Sequence, residues 1–206
     1  MKKKIKEIID VSNEIYNKGL VSGKAGNISA RFKSETGDFI AITPTLKSLS
    51  DLKEEDIVLV DFDGNSLTKG KPSSEVNMHL EIYKRRDDVK GIVHTHSPYA
   101  TGFAFSSKKI KRYEGFGEIK KPYLSSIEYE KPGTDELAKK ASEGIADEDV
   151  LILKNIDIHT MELEIEPNDT KYLMPATYKY DIELTDEMGR VSTVIMGNFT
   201  ITAEVY

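Results

Sequence analysis

The stretch Val89-Lys90-Gly91-Ile92-Val93-His94-Thr95-His96 is short, rich in β-branched and apolar residues, and ends in two histidines. A run of this kind is typical of a buried strand. It follows a helical pattern from Ser74 to Arg85, whose opening serine could cap the helix. A helix that leads into a strand fits an α/β unit, in which helices and strands mix.

The same α/β pattern extends on both sides of this stretch, up to about residue 155. Apolar residues recur at near-helical spacing from Ile5 to Leu20, and Gly19 is positioned to end that first helix. We predict strands at Ile28–Phe32, Phe39–Thr43, Asp56–Phe62 and Asp149–Leu153, and a further helix at Thr134–Gly144 with Thr134 as its cap.

The end of the chain has a different pattern. Apolar and polar residues alternate over 161–166, 178–184 and 199–205, which is the two-residue period of strands. Asp186-Glu187-Met188-Gly189 has the composition of a hairpin turn. We therefore predict two parts, a domain over residues 1–155 and an all-β segment appended over residues 156–206.

Composition narrows the classes of partner. The chain has 206 residues, a formal net charge of -6 and scattered basic residues, which argues against nucleic acid or an anionic membrane as a partner. It has no cysteine, which leaves His, Asp, Glu and water as metal ligands. No apolar run is long enough to span a bilayer, and acidic residues interrupt the start that a signal peptide would need. We predict a soluble, cytoplasmic protein.

The two histidines are candidate metal ligands. The two-residue period of a strand places the imidazoles of His94 and His96 on one face, where two neutral nitrogens suit a zinc-like ion. The alternative is a pair of ordinary solvated or hydrogen-bonded histidines. Glu75 lies at the start of the preceding helix, so the fold could bring it to the end of the strand. His79 lies one turn further on the same helix face, and we interpret it as a helix-surface residue or a neighbour of the site.

Three short motifs could form a pocket for an anion. Pro72-Ser73-Ser74-Glu75 offers two hydroxyls and free backbone amides at a helix N-terminus, although a plain helix cap has the same composition. Gly26-Asn27-Ile28-Ser29 could form a second wall, because glycine lets backbone amides approach a phosphate closely. Thr43-Pro44-Thr45 adds hydroxyls on a loop. Alone, each of the last two motifs is also an ordinary turn or loop.

Taken together and in order, these motifs resemble the class II aldolase/adducin family, and within it the fuculose-phosphate aldolases. The resemblance covers residues 1–155. It is carried by Gly26-Asn27-Ile28-Ser29-Ala30-Arg31, Ile42-Thr43-Pro44-Thr45, Pro72-Ser73-Ser74-Glu75, Val93-His94-Thr95-His96-Ser97 and Pro132-Gly133-Thr134-Asp135-Glu136-Leu137.

The resemblance implies a central, mainly antiparallel sheet flanked by helices and a homotetramer with active sites between subunits. It implies zinc held by His94 and His96, with Glu75 as a metal-side carboxylate and proton-transfer base. Tyr113 would protonate the departing aldehyde. The substrate phosphate would lie against Gly26, Asn27, Thr45, Ser73 and Ser74.

The implied reaction is cleavage of a small phosphorylated ketose, such as fuculose 1-phosphate, to dihydroxyacetone phosphate and an aldehyde. A metal ion that acts as a Lewis acid stabilises the enediolate left by this cleavage, so no Schiff-base lysine is required. Glu75 would move the remaining proton, and phosphate anchoring would orient the substrate.

The chain departs from the family pattern in three places. The family's third histidine is expected after Val150–Leu153, where this chain has Asn155-Ile156-Asp157, and His159 comes three positions later. Leu46 stands where many members have glycine. The domain is truncated after residue 155, and the β-rich segment weakly resembles phage tail and baseplate modules. These departures support an alternative, a catalytically inactive scaffold that serves as a binding or assembly module.

Overall fold

The computed structural model describes residues 1–34, 37–106, 108–112 and 121–155, and the backbone of two further strands at 176–185 and 191–201. The chain divides into two compact units, Met1–His159 and Thr160–Tyr206. Each unit is described by itself.

The first unit alternates helices with short strands. Its elements are α1 (Lys2–Asn17), β1 (Asn27–Phe32), β2 (Phe39–Ile42), β3 (Val58–Asp61), α2 (Val76–Arg85), β4 (Gly91–His94), α3 (Pro98–Ala104), β5 (Ser125–Ile127), α4 (Asp135–Gly144) and β6 (Leu151–Leu153), with short 3-10 turns at Leu49–Asp51 and Glu54–Asp56.

Four strands form one sheet in the order β3-β2-β1-β4, and every neighbouring pair is antiparallel. The short strands β5 and β6 pair in parallel as a separate ribbon. The predicted fold, a mainly antiparallel sheet flanked by helices, is therefore confirmed.

Helices pack on both faces of the four-stranded sheet, because successive strand side chains point to opposite faces. On one face, Ile28 and Phe32 of β1 share a buried cluster with Ile8 and Ile15 of α1. On the other face, apolar residues of β2 and β3 meet α2. A third cluster joins α2 to α4, so α2 lies between the sheet and α4.

Two predictions about individual elements are wrong. The helix predicted from Ser74 begins at Val76 with Glu75 at its N-cap position, and the side chain of Ser73 accepts the Glu75 N–H at 3.2 Å. The strand predicted as buried, β4, is shorter and lies at the edge of the sheet, and its residues alternate between exposed and half-buried. Thr134 does cap α4 as predicted, because its side chain accepts the Leu137 N–H.

The described residues of the second unit form two paired strands. They are β7 (Ala176–Thr185) and β8 (Val191–Ile201), which pair antiparallel with an irregularity between Ile182 and Glu183. Strand β7 contains the whole alternating run predicted at 178–184. The predicted turn at 186–189 and the alternation at 161–166 lie outside the described residues. Within the described part of the chain, none of the helices has the length and apolar content needed to cross a membrane.

Candidate active site

Strand register brings the motifs of β1, β2 and β4 to one end of the sheet. Asn27, the first residue of β1, pairs with His94, the last residue of β4. On the other side of β1, the Ile28 N–H donates to Thr43 Oγ1 at 3.0 Å. The ends of three strands therefore meet at the same place.

Two backbone hydrogen bonds tie the start of α2 to the same end of the sheet. The Ser73 N–H donates to the Thr43 carbonyl at 3.1 Å, and the Thr45 N–H donates to the Lys71 carbonyl at 3.1 Å. Thr45 and Ser73 are thus held on adjacent segments. The loop after β2 and the loop before α2 form one wall.

A cavity of ≈ 930 Å³ opens at this end of the sheet. Its lining contains every candidate residue that the structure describes, namely Gly26, Asn27, Thr45, Ser73, Ser74, Glu75, His94 and His96. Tyr113, the candidate acid, lies outside the described residues.

Gly26 permits the close approach of β1 to the histidine segment. Its φ is 80°, in the left-handed region, and a Cβ there would lie 2.6 Å from Val21 Cγ1 and 2.9 Å from the His94 carbonyl oxygen. No other residue fits both requirements. The glycine motif is thus needed for packing beside the histidines, whatever its role toward an anion.

The two histidine rings converge, although only one of them belongs to the strand. The His96 N–H donates to the Leu20 carbonyl at 3.1 Å, which holds the segment after β4 against the end of the first helix. The Nε2 atoms of His94 and His96 are 3.2 Å apart. The rings therefore share a side as predicted, through an anchored turn rather than through strand alternation alone.

Both histidines are neutral near pH 7. Burial lowers the pKa of His94 to about 4, and the neighbouring His96 contributes in the same direction. The side chain of His96 reaches solvent, but the surrounding protein displaces enough water to lower its pKa as well. Neutral rings keep a lone pair for a metal ion.

Glu75 is the most unusual polar group in the cavity wall. Among the described residues, its Oε2 is the buried side-chain oxygen without a hydrogen-bond partner. Burial raises the pKa of the carboxyl, and the Gly133 N–H acts in the opposite direction. A carboxyl group with a raised pKa and an unpaired oxygen is typical of sites that exchange protons or bind cations.

The described residues provide two of the ligands that a divalent cation needs, but not a third. A tetrahedral zinc ion with Zn–N bonds of about 2.0–2.1 Å holds its nitrogens about 3.3 Å apart, close to the 3.2 Å between the two Nε2 atoms. In the described part of the chain, however, no three His, Asp or Glu side chains form a metal-ligand group. Glu75 and the histidine pair therefore do not form such a group among the described residues. Ile156 and His159, where a third ligand was considered, lie outside the described residues.

His79 is buried beside the cavity, which rules out one of its two sequence interpretations and agrees with the other. It has no exposed surface, so the helix-surface interpretation is wrong. Its Nε2 lies 2.6 Å from Asn27 Oδ1, and its Nδ1 lies 2.7 Å from Ser29 Oγ. The alternation of Asn27 and Ser29 along β1 was the available signal, because both side chains point to the face that α2 covers.

Comparison with known proteins agrees with this architecture. Residues 6–162 match the family described as Class II Aldolase and Adducin N-terminal domain. The L-fuculose phosphate aldolase of Methanococcus maripaludis is 42% identical over 159 residues, which is 77% of this chain and 84% of that protein. The 5-deoxy-D-ribulose 1-phosphate aldolase of Bacillus thuringiensis is 35% identical over 156 residues, which is 75% of this chain and 72% of that protein.

A solved structure gives the same result. An L-fuculose 1-phosphate aldolase superposes with a TM-score of 0.66 at 33% identity and covers 75% of this chain and 73% of its own. The chain therefore belongs to the class II aldolase and adducin N-terminal domain family, as its motifs predicted. Its similarity to sugar-phosphate aldolases makes it a class II aldolase by descent, and enzymes of that class are generally dependent on a divalent metal.

Proposed function

We propose that this chain is a metal-dependent class II aldolase that cleaves a small phosphorylated ketose to dihydroxyacetone phosphate and an aldehyde. One observation carries the proposal. The neutral nitrogens of His94 and His96 meet 3.2 Å apart in the same cavity as the unpartnered Oε2 of Glu75. Ligands for a cation and a carboxyl able to move a proton are thus present together.

His94 and His96 are the residues that would hold the metal, and zinc is the ion that we propose for this pair of nitrogens. When bound, the metal supplies a Lewis acid that stabilises negative charge beside the substrate carbonyl. A further ligand is required from outside the described residues or from water, because two histidines are fewer than catalytic sites usually provide.

Glu75 is the proposed proton-transfer group. Its raised pKa brings the carboxyl closer to neutral pH, where gaining and losing a proton are both accessible. Its Oε2 has no hydrogen bond among the described residues to break before it takes a proton. Gly133 holds the carboxyl from the other side through its N–H.

Polar groups at the N-terminus of α2 would bind the substrate phosphate. The Ser73 hydroxyl oxygen accepts the Glu75 N–H, so its hydrogen is free to donate to an anion. Thr45 and Asn27 border the same cavity, and Ser74 is exposed next to it. A phosphate held here orients the carbon–carbon bond toward Glu75 and the histidines.

The names of two relatives support the proposed substrate class. Their names specify L-fuculose phosphate and 5-deoxy-D-ribulose 1-phosphate, two phosphorylated ketoses of different length. We propose a ketose 1-phosphate of five or six carbons for this chain. The proposal keeps Tyr113 as the acid that protonates the aldehyde and a homotetramer as the assembly.

A second candidate is a catalytically inactive scaffold that binds or assembles other molecules. It is favoured by Ile156, which stands where the family places its third histidine, and by the lack of a three-ligand group among the described residues. This candidate predicts no bound metal and no cleavage.

The test is release of dihydroxyacetone phosphate from L-fuculose 1-phosphate and 5-deoxyribulose 1-phosphate. We expect cleavage by the parent after incubation with zinc, and a rate about 10²–10⁴-fold lower for Glu75→Gln, which keeps the shape but cannot transfer the proton. Glu81→Gln, on an exposed part of the same helix, is the matched control and keeps the parent rate. A parent that binds no metal and cleaves neither substrate after incubation with zinc would favour the scaffold.

A further inference from the structure

Four polar side chains form a continuous chain of hydrogen bonds in the space between β1 and α2. The Tyr83 hydroxyl lies 2.9 Å from Ser29 Oγ, which lies 2.7 Å from His79 Nδ1. His79 Nε2 in turn lies 2.6 Å from Asn27 Oδ1. All four residues are buried, and Asn27 also lines the cavity. The chain therefore runs from the protein interior to the candidate site.

The direction of the hydrogen bonds follows from donor counting. A neutral imidazole has one N–H and one acceptor nitrogen, and burial keeps His79 neutral by lowering its pKa to about 3. Asn27 Oδ1 can only accept, so the hydrogen of His79 is on Nε2. His79 Nδ1 then accepts from the Ser29 hydroxyl, whose oxygen accepts from Tyr83.

The far end of the chain agrees with this direction. The Tyr83 hydroxyl lies 2.9 Å from Ser29 Oγ, so its phenol hydrogen is available to donate to that oxygen. Every hydroxyl in the chain then donates once. A chain in which each buried polar group has its partner is rigid, because breaking any bond leaves an unpaired group in the interior.

The direction determines which part of Asn27 is available to a ligand. Oδ1 accepts from His79, so the Nδ2 amide hydrogens are the part of the group left for the cavity. Rotating the amide by half a turn would place two donors at the His79 N–H and present an oxygen to the cavity. An oxygen there would repel a phosphate, whereas the amide hydrogens attract it.

We propose that His79 is a positioning residue, which holds the Asn27 amide so that its N–H groups face the phosphate of the substrate. This inference rests on the proposed function, because it takes the substrate to be a phosphate ester. It goes further by assigning a role to a histidine that is neither a metal ligand nor a proton carrier, and to the chain of Ser29 and Tyr83 behind it.

The test compares two substitutions, each of which keeps one of the two hydrogen-bonding groups of the imidazole. In His79→Gln, the terminal amide reaches the position of Nε2 and keeps the donor to Asn27. In His79→Asn, the side-chain oxygen takes the position of Nδ1 and keeps the acceptor for Ser29, but the donor to Asn27 is lost. Asn27→Ala removes the proposed ligand itself, and Glu81→Gln is the control.

The measured quantity is the affinity for inorganic phosphate by titration calorimetry, with KM and kcat for ketose phosphate cleavage beside it. We expect His79→Asn and Asn27→Ala to weaken phosphate binding by about tenfold or more, and His79→Gln and Glu81→Gln to stay within about threefold of the parent. Cleavage kinetics should show the loss mainly in KM. Equal phosphate binding by His79→Asn and the parent would overturn the proposal.

The outcomes separate this inference from the proposed function. A parent that binds phosphate but cleaves no ketose phosphate overturns the aldolase activity and leaves the role of His79 standing. A parent that cleaves substrate while His79→Asn binds phosphate normally overturns only the role of His79. A parent that binds no phosphate overturns the role of His79, and the cleavage assay then decides the aldolase activity by itself.

A spectroscopic measurement on the parent does not depend on whether the variants fold. Nitrogen-15 NMR of the imidazole rings distinguishes the two neutral tautomers, and the chain has four histidines to assign. We expect His79 in the Nε2–H form at neutral pH. A ring in the Nδ1–H form would reverse the hydrogen-bond direction and contradict the proposal.

Discussion

At the scale of single residues, Leu46 adopts a conformation that its side chain disfavours. Its φ of 60° lies in the left-handed region, and 76% of the residue is exposed, so burial offers little compensation. The neighbouring Thr45 N–H holds the loop to the Lys71 carbonyl. The backbone here thus has a conformation that suits glycine, although the residue is leucine.

This strain is measurable by urea unfolding. We expect Leu46→Val to lower the free energy of unfolding by about 1–2 kcal/mol, because a β-branched residue is poorly tolerated at positive φ. The free energy of unfolding of Leu46→Asn should equal or exceed that of the parent, since asparagine tolerates the left-handed backbone region. The control is Leu67→Val, at an exposed leucine without positive φ, which should change little. Equal losses of unfolding free energy in Leu46→Val and Leu67→Val would show that the backbone at Leu46 is not strained.

His79 makes the stability of the fold sensitive to acid. Its pKa is about 3 in the folded protein and 6.5 when unfolded, so below pH 6.5 the unfolded chain binds the extra proton and the folded state loses stability. From pH 6.5 to 4.5 the parent should lose about 2 kcal/mol more than His79→Gln. Denaturant titrations at both pH values measure this difference, and parallel losses would show that His79 is not held neutral.

At the scale of elements, local pattern predicts the strands of the sheet but not which of them lie at its edges. The strands β1 and β2 begin or end within a residue of the prediction, because alternation and flanking turns are properties of the local sequence. The edge position of β4 depends on which strand lies beside it. The apolar run at β4 therefore predicted a buried strand, whereas the structure has a partly exposed one.

The start and surroundings of α2 show a second limit. The helix packs against the sheet on one side and α4 on the other, so most of its circumference is buried and no single face is marked by the sequence. For that reason the sequence left open whether His79 lies on the helix surface or beside the site. The motif order did place Asn27, Glu75 and His94 together, and they line one cavity, whereas the contact between Gly133 and Ser74 is tertiary and has no local signal.

That contact gives a prediction for the loop before α4. Gly133 has a φ of 76°, and a Cβ there would lie 3.3 Å from the Ser74 carbonyl oxygen, next to Glu75. We expect Gly133→Ala to lower the free energy of unfolding by about 1–2 kcal/mol and to slow ketose phosphate cleavage by displacing Glu75. Gly64→Ala, also at positive φ but in open space, should lower stability by about 1 kcal/mol and leave cleavage unchanged. Equal cleavage rates in Gly133→Ala and Gly64→Ala would show that Gly133 does not help to position Glu75.

At the scale of the whole molecule, the described candidate residues and the three buried clusters all lie within the first compact unit. The family match ends at residue 162, close to the boundary between the two units. The candidate site therefore lies in the first unit as far as the described residues show it. The paired strands β7 and β8 form a separate unit for which the family suggests no role.

The most direct test of the account is the metal content of the purified chain by elemental analysis. We predict about one divalent metal ion per chain in the parent and in Glu81→Gln. The double variant His94→Ala/His96→Ala should hold none. A parent that holds no more metal than the double variant, even after incubation with zinc, would contradict the proposed aldolase and leave an inactive scaffold.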